Sequence, residues 1–249
     1  MELWTPEHAK TLLPAVAVML LVALGLRVWL GKKPLSIRMI PLQICACMLL
    51  VLEVGKQVVS LWRGYDLYHL PFHYCSLFLF AMPLMAFYRG KHRQVVNAVT
   101  TSLCAAMFLL LMIYPNLIYS AGNIREFFTE YMSFHTVAYH NLIVLALMLI
   151  LALELYSPGG KREHVAVILA MVVFCVISAS MAHILKTNYA NFYSCNIPIL
   201  ETVRLTVANA IGALVAKLVY ILIVSALNIL FTWGAFSLCR LANTRTKLT

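Results

Sequence analysis

The sequence predicts an all-α fold, a polytopic membrane helical bundle of about seven transmembrane helices. Three observations carry the expectation. The chain is 63% hydrophobic and only 11% charged, with a mean hydropathy of +0.88, whereas soluble domains are about 45–50% apolar and about 25% charged. Apolar stretches recur along it, each near the ~20 residues that a helix needs to cross the hydrocarbon core. A backbone in lipid must also satisfy its own hydrogen bonds, and stretches of this length do so as helices.

The spans are read as Leu12–Leu30, Met39–Leu61, Leu70–Tyr88, Val95–Pro115, Phe134–Leu155, His164–Lys186 and Val207–Phe236. The first follows Met1–Lys10, which carries Glu2 and Glu7 and lacks the basic segment and cleavage site of a signal peptide, so this helix is expected to be retained. Pro14 and Pro41 lie near span starts, and Pro83 would kink the third span. That third span opens at Leu70-Pro71, and Pro71 suits a first helical turn, where no backbone donor is needed. Ser157-Pro158-Gly159-Gly160 is a turn between the fifth and sixth spans. The last apolar run is longer than a crossing requires, which places Lys217 at an interface. With little chain left over and no repeat or long linker, residues 1–249 read as a single integral membrane domain.

Positively charged loops are retained on the cytoplasmic side. Twelve Lys and Arg fall in one set of alternate connections, around Arg27–Arg38, Arg89–Arg93, Lys161–Arg162 and Arg240–Lys247, and five in the other. The N-terminus is therefore expected outside, the C-terminus in the cytoplasm, and the protein in the cell membrane. This bias accounts for most of the net charge of +10, so no nucleic-acid partner is expected. Cys45, Cys47, Cys104 and Cys175 sit in mid-span, where a small apolar thiol is an ordinary packing residue. Cys75 and Cys195 lie near the outer face, and a bridge between them is open.

Most of the histidines gather at that outer level. The third span begins His69-Leu70-Pro71-Phe72-His73-Tyr74-Cys75-Ser76, which puts Cys75 about five residues, or ~7–8 Å, into a helix and near the positive end of its dipole. The fifth begins Phe134-His135-Thr136-Val137-Ala138-Tyr139-His140-Asn141. There His135 and Tyr139 share one face and Thr136 and His140 another. The sixth ends at His183, ahead of Asn188 and Tyr189. In the second span, Glu53 and Lys56 share a face at i, i+3 and are placed to neutralise one another, and intramembrane ionisable groups are functional by default. His8, His92 and His164 read as ordinary interfacial residues.

The runs Leu70-Pro71-Phe72-His73-Tyr74-Cys75, Tyr139-His140-Asn141-Leu142-Ile143 and Thr187-Asn188-Tyr189 resemble the YwaF-type integral membrane family. More distantly, they are similar to an animal transmembrane acyltransferase of ether phospholipids. The resemblance spans most of the chain. It matches His73 and Cys75 to a Leu-Pro-x-His-x-Cys pattern, His140 to the histidine that opens the fifth helix, and Asn188-Tyr189 to an Asn-Tyr element. Ser76 departs from it, standing where many bacterial members carry an acidic residue. The activity it implies is acyl transfer through a cysteine.

The first functional expectation is accordingly a phospholipid acyltransferase. Cys75 is its nucleophile, His140 or His73 its base, and Asn188 or Tyr189 the donor to the oxyanion. His135, Tyr139, Glu53 and Lys56 line the substrate site. Membrane phospholipid or lysophospholipid is the partner, and neither a cofactor nor a metal is expected. An alternative is a metal-dependent lipid hydrolase, with His69 and His73 on one helix face and a further histidine as ligands. The other is a transporter or sensor whose histidines respond to pH.

Overall fold

The computed structural model describes residues 3–195 and 198–246; Glu2 of the N-terminal segment and Lys247 of the charge count lie outside them. The helices run α1 (Pro6–Leu30), α2 (Leu35–Arg38), α3 (Ile40–Trp62), α4 (Phe78–Phe87), α5 (Arg93–Ile113), α6 (Pro115–Ile118), α7 (Ala121–Arg125), α8 (Tyr131–Ala152), α9 (Lys161–Ile184), α10 (Pro198–Ile211) and α11 (Ala213–Thr246). No strand occurs among the described residues. Six helical segments are long and apolar enough to cross a membrane, and the apolar stretch Tyr74–Phe87 is a shorter seventh. The protein is a multi-pass integral membrane protein.

The central helix is α5, which packs on α4, α8, α9 and α11. It can do so because Ala98, Thr100, Thr101, Ser102, Cys104, Ala105 and Ala106 give it a small, buried surface that lets neighbouring backbones approach closely. Thr100 reaches across to α4, donating its hydroxyl to the Ala81 carbonyl at 2.9 Å. Helices α1 and α3 both pack on α8. At the basic end, two arginines cap the C-terminus of α8: Arg27 donates to the Ala152 carbonyl at 3.0 Å and Arg38 to the Leu153 carbonyl at 2.7 Å. Cations there satisfy carbonyls left open by the last turn and complement the helix dipole.

Two expected spans are built differently. The third does not begin as a helix at Leu70. Leu70 is extended and Pro71-Phe72 non-helical, His73 is extended at φ −81°, ψ 158°, Tyr74–Leu77 form one 3-10 turn, and α4 starts at Phe78. The last span is divided at Gly212, whose φ is +92°. Glycine adopts that region without steric cost, and the chain turns there from α10 into α11. Lys217 is exposed near the start of α11, as an interfacial residue would be. His8, expected as a loose interfacial residue, is fully buried. It completes a capping box with Thr5, and its Nε2 donates to the Tyr119 carbonyl at 2.9 Å.

Candidate functional site

At the histidine-bearing end of the bundle a cavity of about 770 Å³ opens between α3, the Tyr68–Ser76 segment, α5, α8, α10 and α11. Its polar end holds Glu53, Lys56, His69, His73, Cys75, His135, Tyr139 and His140, all of which the sequence places at this level. A mainly apolar wall runs from Ala216 to Phe231 along α11, roughly 22 Å at 1.5 Å per residue. A polar end joined to an apolar trough of that length suits an amphipathic ligand with a long chain.

The buried ion pair organises the polar end. Lys56 Nζ lies 2.7 Å from Glu53 Oε1, with both side chains largely covered. Gln57 donates to the same oxygen at 2.8 Å and to the His69 carbonyl at 3.0 Å, and Tyr65 in turn donates to Gln57 at 2.8 Å. His135 Nε2 is 3.4 Å from Glu53 Oε2, an ion-pair distance without hydrogen-bond geometry. A charge in this setting is tolerable only with such partners.

Cys75 sits in the 3-10 turn, partly buried, rather than five residues into an α-helix. Its carbonyl accepts from the Tyr139 hydroxyl at 3.3 Å, and Tyr139 is stacked on His135 with ring centroids 5.2 Å apart. The extended stretch ahead of it is pinned by Ser178, which donates to the Phe72 carbonyl at 2.8 Å. His140 Nδ1 donates to the Thr136 carbonyl, one turn earlier in α8, at 2.6 Å. His73 donates through Nε2 to the Tyr68 carbonyl at 3.0 Å and packs between the Tyr68 and Tyr189 rings. Burial pushes His73 below the usual histidine range, and burial together with the nearby Lys56 charge does the same to His69.

The chain matches the TMEM164 family over residues 3–236. It belongs to that family. No curated protein and no solved structure matches it. The match gives the TMEM164 name to the integral membrane family expected from the motifs; the YwaF name rests on those motifs alone.

In this TMEM164-family chain, Tyr189 and His183 are placed apart from the cavity, and other expected site residues are committed differently from their expected roles. Tyr189 is fully buried, does not line the cavity, and commits its hydroxyl to the Leu67 carbonyl, so it is not poised to donate to an oxyanion. Asn188 does line the cavity, but its Oδ1 accepts from the Tyr193 and Ser194 amides at 3.2 Å each and shapes the turn there. His183 faces Tyr193, with ring centroids 5.6 Å apart, and is not among the lining residues. His69 and His73 do not share a helix face, because the residues between them leave helical conformation at Leu70. The seven cysteines are all free thiols, Cys75 and Cys195 included.

The wall formed by α10 and α11 was missed. Val203, Arg204 and Val207 of α10 face the cavity, as do Cys195, Tyr220 and Asn228. The available signal was the Val203–Arg204–Val207 spacing, which puts a cation on an apolar helix face. On the far side of α8, Asn141 turns away from its neighbour His140 and lines a separate apolar furrow of about 1040 Å³ between α1 and α3.

Proposed function

We propose that the protein is a membrane-embedded phospholipid acyltransferase that carries the acyl group on Cys75. The observation that carries this reading is one cavity that joins a thiol, several histidines and a buried cation to a long apolar trough. In the proposed reaction, Cys75 Sγ attacks the ester carbonyl of a phospholipid whose chain lies in the trough. The C–O bond breaks, lysophospholipid leaves with the proton taken from the thiol, and the acyl group stays as a thioester. A lysophospholipid hydroxyl then attacks that thioester and frees the thiol.

His140 is the preferred base. Its Nδ1–H is fixed on the Thr136 carbonyl, which leaves the Nε2 lone pair available in the neutral ring. His73 is the second candidate, held in the opposite tautomer. Lys56 supplies the positive charge at the polar end and is paired with Glu53, which Gln57 and His135 contact in turn. Tyr139 positions the Cys75 turn through its carbonyl, and Asn188 shapes the adjoining wall. The YwaF-type motifs favour the same chemistry, and the charge asymmetry favours a site on the outer side of the membrane. The metal-hydrolase reading loses its geometric premise, since residues 69 and 73 are not one turn apart on a helix.

The test is intact mass of the full chain in lipid nanodiscs after incubation with a diacyl phospholipid, with and without hydroxylamine. An acyl increment removed by hydroxylamine is expected in the native protein and absent from Cys75→Ala. Transfer to lysophospholipid should fall on the order of 10³-fold or more in that variant, as for loss of a nucleophile elsewhere. A Cys75→Ala protein with full transfer activity overturns the cysteine acyl-enzyme, and a native protein with neither acylation nor transfer favours a non-enzymatic transporter or sensor.

A further inference from the structure

At the opposite, basic end of the bundle, His164 is built into a cluster that the cavity does not use. It lies in the first turn of α9, against the C-terminal half of α11, and is half-buried there. The Trp233 indole Nε1–H donates to His164 Nδ1 at 3.0 Å, and Arg240 Nη1 lies 2.9 Å from His164 Nε2. Phe236 meets the ring edge-on, with centroids 4.9 Å apart. The imidazole is thus held on three sides, and each of its nitrogens points at a group that can only donate.

This arrangement is one acceptor short. A neutral imidazole has a single lone pair and one N–H, while indole and guanidinium have no acceptor at all. In either tautomer one ring N–H therefore faces another N–H at hydrogen-bond distance. With Trp233 bonded to Nδ1, the ring proton is on Nε2 and converges with the Arg240 N–H. An oxygen seated beside these two nitrogens accepts from both.

The surroundings specify the kind of oxygen. Lys161 is exposed and lies on the His164 face of α9, three residues before it. Glu163, the adjacent acid, is buried and committed to the turn ahead of α9, where its Oε2 accepts from the Tyr156 hydroxyl and the Gly159 N–H. One turn from His164 and one turn from Trp233, Ile168 and Leu230 are exposed and apolar. A tryptophan between cations and an apolar surface marks the bilayer interface, where the anionic oxygens within reach are those of lipid headgroups.

We propose that His164, Arg240 and Lys161 form a binding site for the phosphate of an anionic phospholipid in the leaflet at the basic end. One phosphate oxygen accepts from the imidazole and guanidinium N–H groups, Lys161 adds positive charge, and the acyl chains lie along Ile168 and Leu230. A headgroup with net negative charge is preferred over phosphatidylcholine, whose own ammonium opposes these cations. The site is separate from the histidine-end cavity and does not rest on the acyl-transfer reading.

The test uses the full chain in phosphatidylcholine nanodiscs, with Trp4, Trp29 and Trp62 replaced by Phe so that Trp233 alone reports. The probes are phosphatidylglycerol and phosphatidylcholine brominated near the headgroup end of their chains, which quench indole fluorescence on contact. Half-maximal quenching should need about tenfold less of the phosphatidylglycerol, the order expected of two interfacial cations. Arg240→Gln should reduce that preference to about twofold or less, and Arg240→Lys should retain most of it. Equal quenching by the two lipids overturns the proposal, as does a preference unchanged in both Arg240→Gln and His164→Leu. Release of the phosphatidylglycerol by millimolar inorganic phosphate assigns the site to free phosphate and overturns the lipid assignment. Native mass spectrometry repeats the comparison with every tryptophan in place: fewer phosphatidylglycerol molecules should stay on Arg240→Gln than on the native chain or Arg240→Lys, and equal retention on all three counts against the site.

Discussion

His140 and His73 present opposite ring nitrogens to the cavity because each gives one N–H to a backbone carbonyl, and a carbonyl only accepts. In sequence the two look alike, a histidine near the start of a span. Their difference comes from backbone: Thr136 lies one turn before His140 within α8, whereas Tyr68 is brought to His73 by a non-helical segment. His73 also has a thermodynamic consequence. Burial lowers its affinity for a proton, so below the ordinary histidine value of about 6.5 the unfolded chain binds a proton that the folded chain resists. Its contribution to stability is therefore full above that value and is lost as pH falls toward the folded value. The thermal midpoint in detergent should drop between about pH 7 and about pH 5, and drop less in His73→Gln. An equal drop in both proteins would assign the dependence to other groups.

At the scale of elements, α3 and α8 set the polar end, because Glu53 and Lys56 come from one and His135, Tyr139 and His140 from the other. Their approach depends on Gly55. A methyl group there would lie 1.9 Å from the Tyr131 hydroxyl, which is held by donating to the Leu52 carbonyl at 3.1 Å. Gly55→Ala should therefore destabilise the protein by about 1–3 kcal/mol, the usual range for overpacking. The same change in a Tyr131→Ala background should cost much less, which thermal unfolding of the four proteins of the cycle would show. Most elements were legible from hydropathy alone, and the i, i+3 and i, i+4 pairs on α3 and α8 were legible from helical spacing. The segment at Cys75 was not. Its apolar run reads as helix, yet Ser178 and Tyr139 bind the Phe72 and Cys75 carbonyls from other helices, a tertiary demand that local propensity does not register. The role of α10 was hidden for a similar reason, since its apolar face merges with α11 in a hydropathy profile and only Gly212 separates them.

For the whole molecule, the distribution of charge and the position of the cavity make one combined statement. The histidine end carries the cavity, and the opposite end carries Arg27, Arg38, Arg89, Lys91 and Arg93. Part of that basic cluster is structural, because Arg27 and Arg38 cap α8. Subtracting those two from the twelve basic-end cations leaves ten against five, so the asymmetry behind the expected orientation persists without them. Single cysteines placed at Thr129, on the histidine end, and at Lys91, on the basic end, would report the outcome in a background without the native thiols. A membrane-impermeant maleimide added to intact cells should label Thr129→Cys directly and Lys91→Cys only after permeabilisation. The opposite pattern would put the cavity on the cytoplasmic side, where inner-leaflet phospholipids and soluble acyl thioesters would both be accessible donors.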